Sequence, residues 1–85
     1  MTLSDAVEML EKGDWQGAHS IAQKDESALG SWAHGIVHIM EGDLSNAGHW
    51  YERAGRELAD PERIAEEISS LKEALTERAN EQPGG

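Results

Sequence analysis

The chain has 85 residues, no cysteine, and 17 Asp and Glu against 7 Lys and Arg, for a formal net charge of −10. That length fits one domain and not two, and a domain so short buries only roughly 60–65% of the surface its unfolded chain exposes. The missing thiols exclude disulfides and thiolate metal sites, and an acidic surface without a basic cluster argues against nucleic acid and anionic membranes, both of which recruit cations.

Helix signals run through the chain, and no stretch alternates with period two, which predicts an all-α fold. Thr2 caps a first helix, with Asp5 in the capping-box position and Leu3, Val7 and Leu10 along one stripe. Gly13 ends it, because glycine accepts the left-handed conformation that follows a helix. Asp14 then caps a second helix with Trp15, Ala18, Ile21 and Ala22 facing inward, closed by Lys24-Asp25-Glu26. Ser27 starts a third, carrying Leu29, Trp32, Ile36 and Ile39 at helical spacing up to Gly42. Asp43 caps a fourth with Leu44, Ala47, Trp50, Tyr51 and Ala54, and Gly55 either ends it or lies within it. Asp60-Pro61 opens a fifth, since proline at the first helical position loses no hydrogen bond. Its stripe is Ile64, Ile68, Leu71 and Leu75. Asn80 to Gly85 reads as a frayed tail, so the domain is drawn over 1–80 with 81–85 disordered. The start, Met1-Thr2-Leu3-Ser4-Asp5, is not basic, and no apolar run reaches the ~18 residues of a membrane span. A cytoplasmic chain is the expectation.

Gly13-Asp14-Trp15-Gln16-Gly17-Ala18 and Gly42-Asp43-Leu44-Ser45-Asn46-Ala47 share Gly-Asp-x-x-x-Ala at an offset of 29 residues. In each copy the glycine stops one helix, the aspartate starts the next, and the alanine lets two helix axes approach. From Trp32 to Ala54 the chain resembles the tetratricopeptide repeat: Gly35, Gly42, Ala47, Tyr51 and Ala54 stand at that motif's small and aromatic positions. Trp32 and Pro61 lie one and two residues late, and the offset falls short of the motif's ~34. The stretch His34, His38, Glu41, Gly42, Asp43, Asn46, Ala47, Trp50, Tyr51, Arg53, Ala54, Gly55, Arg56 is also similar to one carried by a family of small bacterial proteins. These resemblances imply antiparallel helical hairpins and a bacterial source, and they bring no activity with them. Repeat arrays bury their apolar faces only against neighbours, so the helix after Pro61 is expected to close the second hairpin in cis or to pair with its copy in a homodimer.

His34, His38 and Glu41 fall at i, i+4 and i+7 on one helix face. Two imidazoles at that spacing can chelate a divalent metal, a carboxylate can add a third ligand, and His19 or His49 can supply a fourth. The metalloprotease pattern needs glutamate directly after the first histidine, where this chain has Gly35. The alternative is a pair of buried imidazoles satisfied by Tyr51 and Asn46 on the partner helix. The indoles of Trp32 and Trp50 belong to the core by position, whereas Trp15 follows a cap and is expected partly exposed, a candidate to line a groove for a peptide or other partner. Arg53 and Arg56 are candidates to anchor a partner's carboxylate, or surface residues pairing with Glu52, Glu57 or Asp60. Glu62, Glu66, Glu67, Glu73, Glu77 and Glu81 read as the solvated face of the last helix. No catalytic triad or phosphate loop is present. The reading is therefore a non-enzymatic helical-hairpin module for a protein or peptide partner, basic partners included, with no cofactor expected. A metal- or small-molecule-binding protein built on His34, His38, Glu41 and His49 is the alternative.

Overall fold

The computed structural model describes residues 1–81. Its five helices are α1 (Leu3–Glu11), α2 (Trp15–Ala22), α3 (Ala28–Glu41), α4 (Leu44–Arg53) and α5 (Ile64–Glu81), the last preceded by a 3-10 turn at Pro61–Arg63. Among the described residues there is no strand, and no helix is long and apolar enough to cross a membrane.

The helix starts follow from local polar chemistry. Thr2 and Asp5 form the reciprocal capping box, and Ser27 Oγ accepts from the Gly30 N–H at 3.0 Å. The two Gly-Asp corners are built alike. Gly13 and Gly42 adopt φ of +83° and +93°, a region costly for residues with a Cβ. The next N–H, of Asp14 or Asp43, then returns to the carbonyl of Met9 or His38 at 2.8 and 2.9 Å. The same aspartate accepts from the N–H three residues on, at 3.0 Å for Gly17 and 3.2 Å for Asn46. One residue ends a helix and the next begins another.

A third such end resolves the question of Gly55. Helix α4 stops at Arg53, Gly55 has φ +75°, and the Arg56 N–H returns to the Tyr51 carbonyl at 2.9 Å. No capping side chain follows, because Arg56 stands where the other corners have aspartate. The chain therefore leaves the hairpin register and restarts at Asp60, whose Oδ1 accepts from the Glu62 N–H at 3.0 Å. Helix α5 continues through Asn80 and Glu81, contrary to the frayed tail expected from Asn80 onward. Residues 82–85 of that tail lie outside the described residues.

Helix α3 is the centre of the fold. Its residues from Gly30 to Ile39 are all buried, as a helix packed on several sides must be. Helix α4 folds back on it, with Ala47 and Tyr51 buried; α2 packs on its other flank through Ala18 and Ala22. Helix α5 lies across α1 and α3, burying Ile68 and Leu71 against Leu3, Val7, Leu10 and Trp32 of the shared core. Closure is in cis and spans both hairpins rather than the end of the second. Gly35 lets α4 approach: a Cβ there would stand 2.5 Å from the Tyr51 ring. The aromatic expectations are met for Trp32, which is buried, and for Trp15, which is half-buried. Trp50 is only half-buried, because its indole covers a polar cluster rather than the apolar core.

Candidate functional site

Three imidazoles converge between α2 and α3. His34 and His38 project from consecutive turns of α3, and His19 reaches them from α2, which packs on α3 and buries Ala18 and Ala22. One ring nitrogen of each lies within 4.8 Å of the other two. The rings pack directly: His34 and His38 are stacked with centroids 4.9 Å apart, and His19 stands edge-on to both, at 4.7 and 5.5 Å. The indole of Trp50 covers the outer face of His34, with centroids 3.8 Å apart and planes within 9°. Its Nε1 donates to Asn46 Oδ1 at 3.2 Å, which fixes the indole over the histidine.

His34 is only 5% exposed, and its Nδ1 is buried without a hydrogen-bond partner among the described residues. Buried polar atoms nearly always find a partner, so this one calls for an explanation. Burial pushes the His34 pKa down from 6.5 to about 4, and the charges of His19, His38, Arg53 and His49 act in the same direction. The ring is therefore neutral at pH 7, the form that offers a lone pair. His38 is also buried, and its Nδ1 lies 2.9 Å from Glu41 Oε1.

The structure sorts the sequence candidates. His34 and His38 come together as the helical spacing implies, and Glu41 touches His38. Of the two candidates for a further position, His19 joins the cluster. His49 is exposed and meets the edge of Trp50 instead, at a centroid distance of 5.2 Å. Neither expected hydrogen-bond partner of the histidines serves that role: Asn46 is bonded to Trp50, and the Tyr51 hydroxyl donates to Glu67 Oε1 at 2.7 Å. A second group of potential ligands, His38 with Glu41 and Asp43, sits at the exposed end of α3.

Glu67 departs from the solvated face expected of α5. The same Oε1 also accepts from Trp32 Nε1 at 3.1 Å, so one carboxylate ties α5 to α3 and α4. Burial, reinforced by this carboxylate, raises the Tyr51 phenol well above its usual range and keeps it a donor. Nothing in the sequence distinguishes Glu67 from its neighbours, since its partners lie 16 and 35 residues away. Arg53 and Arg56 make no ion pair among the described residues. Arg56 stacks on the Trp32 ring at 3.6 Å, and Arg53 stands 5.0 Å from that of Trp50. Trp15 is half-buried against the core and remote in sequence from either arginine.

Searches of protein-family models, curated proteins and solved structures find no match to the chain.

Proposed function

We propose that this chain is a transition-metal-binding helical protein that holds a divalent ion such as Zn²⁺ or Cu²⁺ on His19, His34 and His38. The observation that carries the reading is the convergence of three imidazoles around a buried nitrogen that has no partner of its own. A lone buried histidine is explained by packing. Three in mutual contact, with one nitrogen lacking a partner among the described residues, match the imidazole donor set of a transition-metal site.

The chemistry of the donors selects the class of ion. Imidazole suits zinc, copper and nickel, whereas magnesium and calcium require oxygen ligands. Bonds of about 2.0–2.1 Å to a tetrahedral ion set donor nitrogens about 3.3–3.4 Å apart. The three nitrogens lie within 4.8 Å of one another, so binding would draw them closer by about 1–1.5 Å, with His19, the partly exposed ring on α2, free to adjust. Three protein ligands leave one coordination position for water or a small ligand.

Calorimetric titration of the purified chain with Zn²⁺ at pH 7.5 tests this. One equivalent is expected to bind, with strong loss in H19A and H38A and retention in H49A, since His49 lies outside the cluster. No heat above buffer from the wild type refutes the reading.

The tetratricopeptide-like interaction module is a second proposal, favoured by one observation. Between the 54–60 connection and α5 lies a shallow groove lined by Glu57, Asp60, Glu66 and Glu67 with a single cation, Arg63. Helix α5 covers the faces of α1 and α3, and the excess of carboxylates in this groove suits a basic peptide. Salt-sensitive binding of a lysine-rich peptide, weakened in Glu57→Gln with Asp60→Asn, is the expected result; salt-independent or absent binding removes it.

A further inference from the structure

Glu41 stands one turn after His38, near the exposed end of α3. Its side chain is 37% exposed, while the His38 ring beside it is nine-tenths buried, and 2.9 Å separates Glu41 Oε1 from His38 Nδ1. Two roles fit a carboxylate at that place. It can bind a metal directly, in the exposed group with His38 and Asp43, or it can hold the imidazole from behind.

We infer that Glu41 is a positioning residue: it accepts the Nδ1–H of His38, which fixes the tautomer and turns the Nε2 lone pair toward His19 and His34 for a metal ion. This rests on the metal reading above and adds to it which atom of His38 ligates and which residue decides that. The argument begins with proton counting. A neutral imidazole carries one N–H and one lone pair, and an ionised carboxylate can only accept. A hydrogen bond between Glu41 and Nδ1 therefore places the proton on Nδ1 and leaves Nε2 as the free donor atom.

The exposed alternative is weaker on three counts. It would need the Nδ1 lone pair, which the contact with Glu41 takes up as N–H. It would draw on Asp43, whose Oδ1 already caps α4 by accepting from the Asn46 N–H at 3.2 Å. It would also leave the buried Nδ1 of His34 unpartnered. With Glu41 outside the coordination sphere, the set is three imidazoles, and the carboxylate orients the His38 ring as a ligand. Asp43 then serves the helix cap alone.

Two measurements on the full chain test this. In metal-free protein, two-bond ¹H–¹⁵N correlation spectra should show His38 as the Nδ1–H tautomer in the wild type and a shift toward Nε2–H in E41A. With Cu²⁺ as probe, the wild type and E41A should show the same imidazole nitrogen couplings by electron paramagnetic resonance. Affinity should fall roughly 10–100-fold in E41A and recover in large part in E41Q, which keeps an acceptor oxygen. D43N should match the wild type. An Nε2–H tautomer in the wild type overturns the inference. So does a change of copper ligand set in E41A and E41Q alike, which would make Glu41 a ligand. Absence of copper binding by the wild type defeats the metal reading and with it the ligand role of Nε2. The metal-free spectra report separately on whether Glu41 holds the ring.

Discussion

Acidification of the metal-free protein isolates His34. Its pKa is about 4 in the folded chain, against the 6.5 of a free imidazole, chiefly because the charged ring would be buried beneath Trp50. The folded state therefore binds fewer protons than the unfolded state between those two values. Stability is complete above pH 6.5, falls as the pH drops from 6.5 to about 4, and loses nothing further from this group below that. At about 1.4 kcal/mol per pH unit, the displacement from 6.5 to about 4 corresponds to at most about 3.5 kcal/mol, a large share of what a small domain has in reserve. Urea denaturation at pH 7, 6, 5 and 4 in the presence of a chelator measures it, with His34→Gln as the comparison. Carboxylates titrate in both proteins, so the difference between them belongs to His34. The wild type should lose stability between pH 6.5 and 5 more steeply than H34Q. Parallel curves would refute the claim that a buried neutral imidazole sits at this position.

Zinc should slow amide exchange most in α2, which buries only Ala18 and Ala22 and would be tied to α3 through His19; hydrogen-exchange mass spectrometry on the apo and zinc-loaded chain would show uniform protection if no such tether forms. Replacing Gly35 with alanine sets a Cβ 2.5 Å from the Tyr51 ring and should cost about 1–3 kcal/mol by urea denaturation; a neutral result would mean α4 moves freely away from α3. Glu67→Ala strands the Tyr51 hydroxyl and the Trp32 indole N–H, with an expected loss of about 2–6 kcal/mol at roughly 1–3 for each of the two orphaned groups. Glu67→Gln, which keeps an acceptor, should lose less, and equal losses would remove the hydrogen-bond account. Asp43→Ala, which removes the cap of α4, should lower stability by about 1 kcal/mol, with Asp43→Asn near wild type in the same assay.

The site also bears on the tetratricopeptide resemblance. The two Gly-Asp corners each end one helix and cap the next, and α5 does not continue a stack beyond α4. It turns back across α1 and α3, and the break begins at Gly55-Arg56, where the third corner lacks its aspartate. Membership of the repeat family remains our proposal, tested by whether a solved structure superposes both hairpins on that motif.

What the sequence determined by itself is everything that depends on residues three or four apart. The capping bonds of Thr2, Asp14, Ser27 and Asp43 all span three residues, so composition at a corner decides where a helix stops and restarts. Helical periodicity likewise put His34 and His38 on one face and Ile68 and Leu71 in the core. Periodicity names the face of a helix and not what that face meets. His19 and His49 were equivalent candidates until the packing of α2 against α3 chose His19, while the stacking of Trp50 on His34 left His49 outside. Glu67 was one carboxylate among many until α5 crossed α3 and set it beside Trp32 and Tyr51. Those choices arise from contacts between distant segments, which the whole core decides together, and no local pattern encodes them.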